Sequence, residues 1–112
     1  MSARLACPLC GALVSDGAEQ IAPGACPGCG ARYEGGEGSA PDAVRAAVDA
    51  LGAEGLDPAA VTDAVFRLTP ADSAARGVAI TSDEREGFYL WWVFVRADDA
   101  DAAAPLRALL PG

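Results

Sequence analysis

No lysine, no histidine and no asparagine occurs in the 112 residues of this chain. The positive charge consists of eight arginines, set against sixteen acidic residues for a net charge of −8. A chain so poor in cations repels phosphate backbones and anionic bilayers, so binding to either needs a local basic patch. The sequence offers none: the first 36 residues hold Arg4 and Arg32 against Asp16, Glu19 and Glu34, and the remainder is more acidic still. Nucleic acid is therefore not an expected partner. The missing histidine removes the commonest general base. A supported Ser or Asp nucleophile, a phosphate-cradling loop and a dinucleotide fingerprint are missing too; "GGEG" lacks the lysine of a phosphate loop. No enzymatic activity is expected.

Long apolar runs are also absent. The longest strongly apolar stretch, "FYLWWVFV" (88–95), has eight residues, where a membrane-spanning helix takes about 20. The start, "MSARLACPL", carries too few apolar residues before Cys7 for a secretory signal, which places the expected location in the cytoplasm. A chain of this size buries little surface, so a covalent or metal staple is expected.

What is present falls into three stretches. Residues 1–34 read as short strands and turns, with "LV" at 13–14, the turn residues "SDG" at 15–17, and Ile21 before Pro23 and Gly24. Residues 35–40, within the Gly-rich acidic "EGGEGSAP", read as a flexible linker because the composition opposes helix and strand alike. Residues 41–112 read as a small α-α-β-β-α module. Ser39 with Asp42 forms a capping-box signal before an apolar stripe of Val44, Ala47, Val48 and Leu51, predicting a helix over 41–51. Asp57 followed by Pro58 starts a second helix over 58–68. After a loop of small residues, "GVAIT" (77–81) and "FYLWWVFV" predict a hairpin across the charged "SDEREG", and 105–110 a short final helix. The expected class is α+β.

All four cysteines lie in two near-copies of one phrase, "CPLCG" and "CPGCG", spaced C-x2-C-x15-C-x2-C. That spacing is a metal-site pattern. Each C-x-x-C lets one tight turn aim two sulfurs at a common point, and Gly11 and Gly30 can take the positive φ that such turns ask for. Four thiolates suit tetrahedral Zn2+ and leave no open position for water or substrate, so Cys7, Cys10, Cys26 and Cys29 are the candidate ligands of one structural zinc. Metal binding would then supply folding free energy to a segment poor in large apolar residues. Iron accepts the same four sulfurs and is the rival metal. Disulfides would need an oxidising compartment, for which the sequence gives no signal. A redox C-x-x-C sits at a helix start, whereas Pro and Gly fill these phrases.

The two phrases resemble the knuckles of the zinc-ribbon superfamily over about residues 4–33. The resemblance implies these four cysteines as ligands and a small metal-stabilised β-hairpin around them. It does not specify a function, since ribbons serve transcription factors, polymerase subunits, ribosomal proteins and plain adaptors. The short-spaced phrases are also similar to the rubredoxin-like modules of rubrerythrins, which hold iron among aromatic residues; this segment contributes Tyr33 alone.

In "FYLWWVFV" the strand period puts Phe88, Leu90, Trp92 and Phe94 on one face and Tyr89, Trp91, Val93 and Val95 on the other. Two readings stand side by side. In one, the strand is central and covered on both faces; in the other, Tyr89, Trp91 and Val93 form a docking surface for a protein. Most acids read as caps and solvated faces, and the "DDAD" run at 98–101 has no second cluster to make a cation site. The expectation is thus a non-enzymatic zinc-ribbon adaptor that binds a protein partner, one of basic character, or a second copy of itself. Its alternatives are a nucleic-acid-binding, transcription-associated factor and an iron electron carrier.

Overall fold

Side-chain caps set where the first three helices begin. The computed structural model describes residues 3–18, 24–37, 39–53, 55–85, 88–96 and 103–110. Helix α1 (Ala40–Ala50) starts at Ser39, whose hydroxyl accepts from the Asp42 N–H while Asp42 accepts from the Ser39 N–H, the reciprocal box expected from the sequence. Helix α2 (Pro58–Phe66) starts at Asp57, which accepts from the Ala59 N–H at 3.2 Å. A third helix, α3 (Pro70–Arg76), occupies the stretch expected to be loop. Thr69 caps it by accepting from the Asp72 N–H, Pro70 opens it, and Gly77 closes it at φ 73°. None of its residues is buried, so it has no apolar stripe for periodicity to reveal; its signal lies in its ends alone.

The strands are β1 (Ala3–Ala6), β2 (Leu13–Ala18), β3 (Gly24–Ala25), β4 (Arg32–Glu37), β5 (Val78–Arg85) and β6 (Phe88–Val95), and a short α4 (Ala104–Arg107) follows. Strands β1 and β2 form an antiparallel hairpin, and the other four form an antiparallel sheet in the order β3-β4-β6-β5. The fold is α+β. The β5–β6 ladder continues to Arg85 opposite Phe88, so "SDER" is strand and not loop. Glu86 of the expected hairpin loop, the "DDAD" run and the Ile21–Pro23 signal lie outside the described residues.

Residues 35–37 of the expected linker are the second half of β4, paired with β6 as Gly35 to Trp92, Gly36 to Trp91 and Glu37 to Leu90. Gly35 is there for space. It sits at φ 148°, and a Cβ on it would overlap the Trp91 carbonyl oxygen. A stretch whose composition suggests flexibility is thus strand backbone pressed against the most aromatic strand of the chain. The sheet runs continuously across the boundary placed at 35–40.

Alternation along β6 feeds two cores. Val93 and Val95 face α1, α2 and α4, in a core where Val44, Val61 and Leu106 of the helices and Val78 of β5 are all fully buried. Trp92 and Phe94 face the other way, against Tyr33, Cys7 and Cys26. The helices therefore cover one face of the sheet and the cysteine segment the other. Among the described residues, no helix is long and apolar enough to cross a membrane.

Candidate metal centre

The two cysteine phrases fold into the same turn. In the first, the Cys7 N–H donates to the Ala12 carbonyl at 2.8 Å and the Gly11 N–H to the Cys7 carbonyl at 2.8 Å. In the second, the Cys26 N–H donates to the Ala31 carbonyl at 2.7 Å and the Gly30 N–H to the Cys26 carbonyl at 2.9 Å. Gly11 and Gly30 stand at φ 81° and 80°, the left-handed conformation anticipated for the residue after each second cysteine. These matched knuckles bring Cys7 Sγ to 3.8 Å from Cys29 Sγ and Cys10 Sγ to 3.5 Å from Cys26 Sγ. All four sulfurs lie within 4.8 Å of one another. A zinc with four bonds of about 2.3 Å has tetrahedral sulfur–sulfur edges of about 3.8 Å, so the donor set fits such an ion in number, type and spacing. All four cysteines are free thiols.

The thiols differ in what surrounds them. Burial pushes the Cys7 thiol up to about 12, against the N–H groups of Leu9 and Cys10. For Cys10 the Ala12 N–H pulls down, but burial and the neighbouring thiols of Cys26 and Cys29 outweigh it and raise the thiol. Burial also acts on Cys26, yet the N–H groups of Cys29 and Gly28 and the thiols of Cys10 and Cys7 bring it down to about 7. The Gly28 N–H lies 3.3 Å from Cys26 Sγ. Four sulfurs this close cannot all ionise without a cation among them, whereas a divalent ion makes four thiolates the stable state.

Two features of the site were missed in the sequence. Gly28 fills the x position of the second phrase because the knuckles nearly touch there: a Cβ would lie 2.7 Å from Ala12 Cβ and 3.0 Å from Cys10 Sγ. The other is an aromatic wall. Tyr33 meets Trp92 edge-on with centroids 5.9 Å apart and Phe94 at 5.3 Å, and these rings pack in one buried cluster with Cys7 and Cys26. The cysteine segment supplies only Tyr33; β6 supplies the other two. Alternation along "FYLWWVFV" puts Trp92 and Phe94 on one face, but not against which neighbour.

The candidate docking residues part company. Val93 is 1 % exposed inside the helical core and offers a partner no surface. The reason is that α1 and α2 cover this face of β6. Trp91 is half-buried, its ring edge-on to Phe66 with centroids 5.9 Å apart. The Tyr89 side chain lies outside the described residues. Phe66 itself is 54 % exposed and borders a groove of about 270 Å³. Pro8 of the first knuckle, Leu68, Pro70, Ala79 and Ile80 line it with Phe66.

No protein-family model matches the chain, and no curated protein or solved structure is significantly similar to it. The class rests on fold and site: an α+β protein with a four-cysteine metal-binding cluster, consistent with a pair of zinc knuckles, on one face of its sheet.

Proposed function

We propose that the protein is a non-enzymatic adaptor, held together by one structural Zn2+ on Cys7, Cys10, Cys26 and Cys29, that binds a protein partner in the groove beside Phe66. The observation that carries the metal assignment is the 3.5 and 3.8 Å spacing of sulfurs from opposite knuckles. An all-sulfur tetrahedral site leaves no coordination position for substrate, which suits a structural ion. The docking assignment moves from Val93 to the exposed Phe66, which keeps Trp91 as its neighbour. Four thiolates and one zinc take the formal charge from −8 to −10. The partner that complements such a chain is an apolar segment flanked by basic residues, the groove taking the apolar part and the acidic surface steering the charges.

Metal analysis of the purified protein should give one zinc per chain without visible colour, and Cys26→Ser should lose both metal and knuckle folding. For the docking part, zinc-loaded protein and its Phe66→Asp variant are compared in affinity capture, and the captured protein is then purified and titrated directly. Direct binding that Phe66→Asp and added salt both weaken supports the adaptor. A captured set unchanged by Phe66→Asp overturns the groove assignment, and a dimer abolished by it makes a second copy the partner.

One observation favours a second reading, iron in the same sulfurs as an electron carrier. The fold places Trp92 and Phe94 with Tyr33 at the site, giving an aromatic wall that the cysteine segment by itself lacks. Strong visible absorption from natively purified protein would establish iron in place of zinc.

A further inference from the structure

Trp92 is 3 % exposed, and its indole N–H has no hydrogen-bond partner. Buried donors are nearly always paired, so one left over at this depth calls for a partner, either an ordered water or an acceptor that changes with the state of the molecule. The surroundings narrow what that acceptor is. The hydrophobic cluster around the ring offers the sulfurs of Cys7, Cys26 and Cys29 and the hydroxyl of Tyr33 as acceptors, and Thr81, opposite Trp92 on β5, carries a hydroxyl of its own. Tyr33 meets the indole ring against ring, at 76°. The sulfurs are also the members whose accepting power changes with metal: a neutral thiol accepts weakly, while a metal-bound thiolate is anionic and takes charge-assisted hydrogen bonds.

We propose that the Trp92 indole N–H donates to a cysteine sulfur of the metal-loaded cluster, making Trp92 a positioning residue that sets how tightly the metal is held. This rests on the reading of Cys7, Cys10, Cys26 and Cys29 as metal ligands. It gives β6, remote in sequence from both knuckles, a direct part in the metal site. Outer-layer donors of this kind are worth about 10- to 100-fold in metal affinity.

The test titrates 15N-labelled protein with Zn2+ and follows the Trp92 indole resonance, assigned with a Trp91→Phe variant. The resonance should move downfield, and its proton exchange should slow, saturating with the metal. In parallel, competition against a chromophoric chelator compares wild type, Trp92→Phe and Tyr33→Phe. Trp92→Phe keeps a ring but deletes the donor, and should still bind one zinc about 10- to 100-fold more weakly; Tyr33→Phe should leave the indole shift intact. If zinc saturates the wild type without moving the indole resonance, the proposal is overturned while the metal reading stands, even if Trp92→Phe weakens binding through packing. If the shift disappears in Tyr33→Phe, the hydroxyl is the acceptor and the proposal is again overturned. Wild-type protein that takes up no metal refutes the metal reading itself. Should Trp92→Phe fail to fold, the wild-type resonance alone decides.

Discussion

Replacing Gly28 with alanine should weaken the metal centre while leaving all four ligands in place. A Cβ at this position would stand 2.7 Å from Ala12 Cβ and 3.0 Å from Cys10 Sγ. Carbon atoms pack comfortably at about 3.5–4.0 Å, so the two knuckles would have to separate by about 1 Å. Metal–ligand distances tolerate only about 0.2 Å, so a separation that size cannot be absorbed at the ion. Overpacking of this kind costs about 1–3 kcal/mol, which corresponds to about 5- to 150-fold in zinc affinity. Gly30→Ala is the comparator: a Cβ there meets nothing within 4 Å, so its cost is that of a left-handed backbone, about 1–2 kcal/mol. The two costs overlap, and a second substitution separates them. Ala12→Gly removes the nearest clashing atom and should recover part of the affinity lost by Gly28→Ala, but none of that lost by Gly30→Ala. The remaining 3.0 Å approach to Cys10 Sγ keeps the recovery incomplete. Competition titration with a chromophoric zinc chelator, together with thermal melts of the loaded proteins, gives all the affinities. Undiminished zinc binding by Gly28→Ala, or no recovery from Ala12→Gly, would refute the argument that knuckle contact fixes the sulfur spacing.

Zinc affinity should rise steeply with pH. Near pH 7 the ion must displace the protons of Cys7, held up to about 12, and of the raised Cys10, and about half a proton from Cys26 at about 7. More than two protons released per zinc means about 100-fold or more in affinity per pH unit; a pH-independent affinity would contradict this. In metal-free protein the Cys7 thiol ionises near 9 when unfolded and near 12 when folded. The unfolded state then binds fewer protons, so stability should fall as pH rises from 9 to 12, as alkaline denaturation followed by circular dichroism can show. Gly35→Ala should destabilise the fold by about 1–3 kcal/mol or more in urea unfolding, since its backbone conformation and the Trp91 carbonyl both exclude a Cβ; an unchanged midpoint would show that β4 does not approach β6 so closely.

The ligand set was legible because the information is local. Cysteine spacing, the turn each C-x-x-C makes and the glycine after it involve residues within one knuckle, and the structure brings together the same four sulfurs. Caps are local in the same way: Ser39 with Asp42 and Asp57 with Pro58 mark the starts of α1 and α2 within a residue. The zinc-ribbon resemblance implied the same four cysteines, and no family, curated protein or solved structure matches the chain to confirm it. Helix α3 escaped the periodicity reading because it buries nothing, although Thr69, Pro70 and Gly77 hold its cap signals.

By itself, then, the sequence determined the four sulfur donors, the α+β class, the alternation of β6 and the chain's acidic charge, each settled by composition or by residues a few positions apart. Only the tertiary structure decided which neighbour each face of β6 receives. Val93 lies under α1 and α2, while Trp92 and Phe94 meet Cys7 and Cys26 from across the sheet. The same holds for "EGGE", where one-dimensional reading sees glycine as freedom and the fold uses Gly35 to let one backbone pass against another. Close approach is a property of two distant segments together, and spacing within either of them does not encode it.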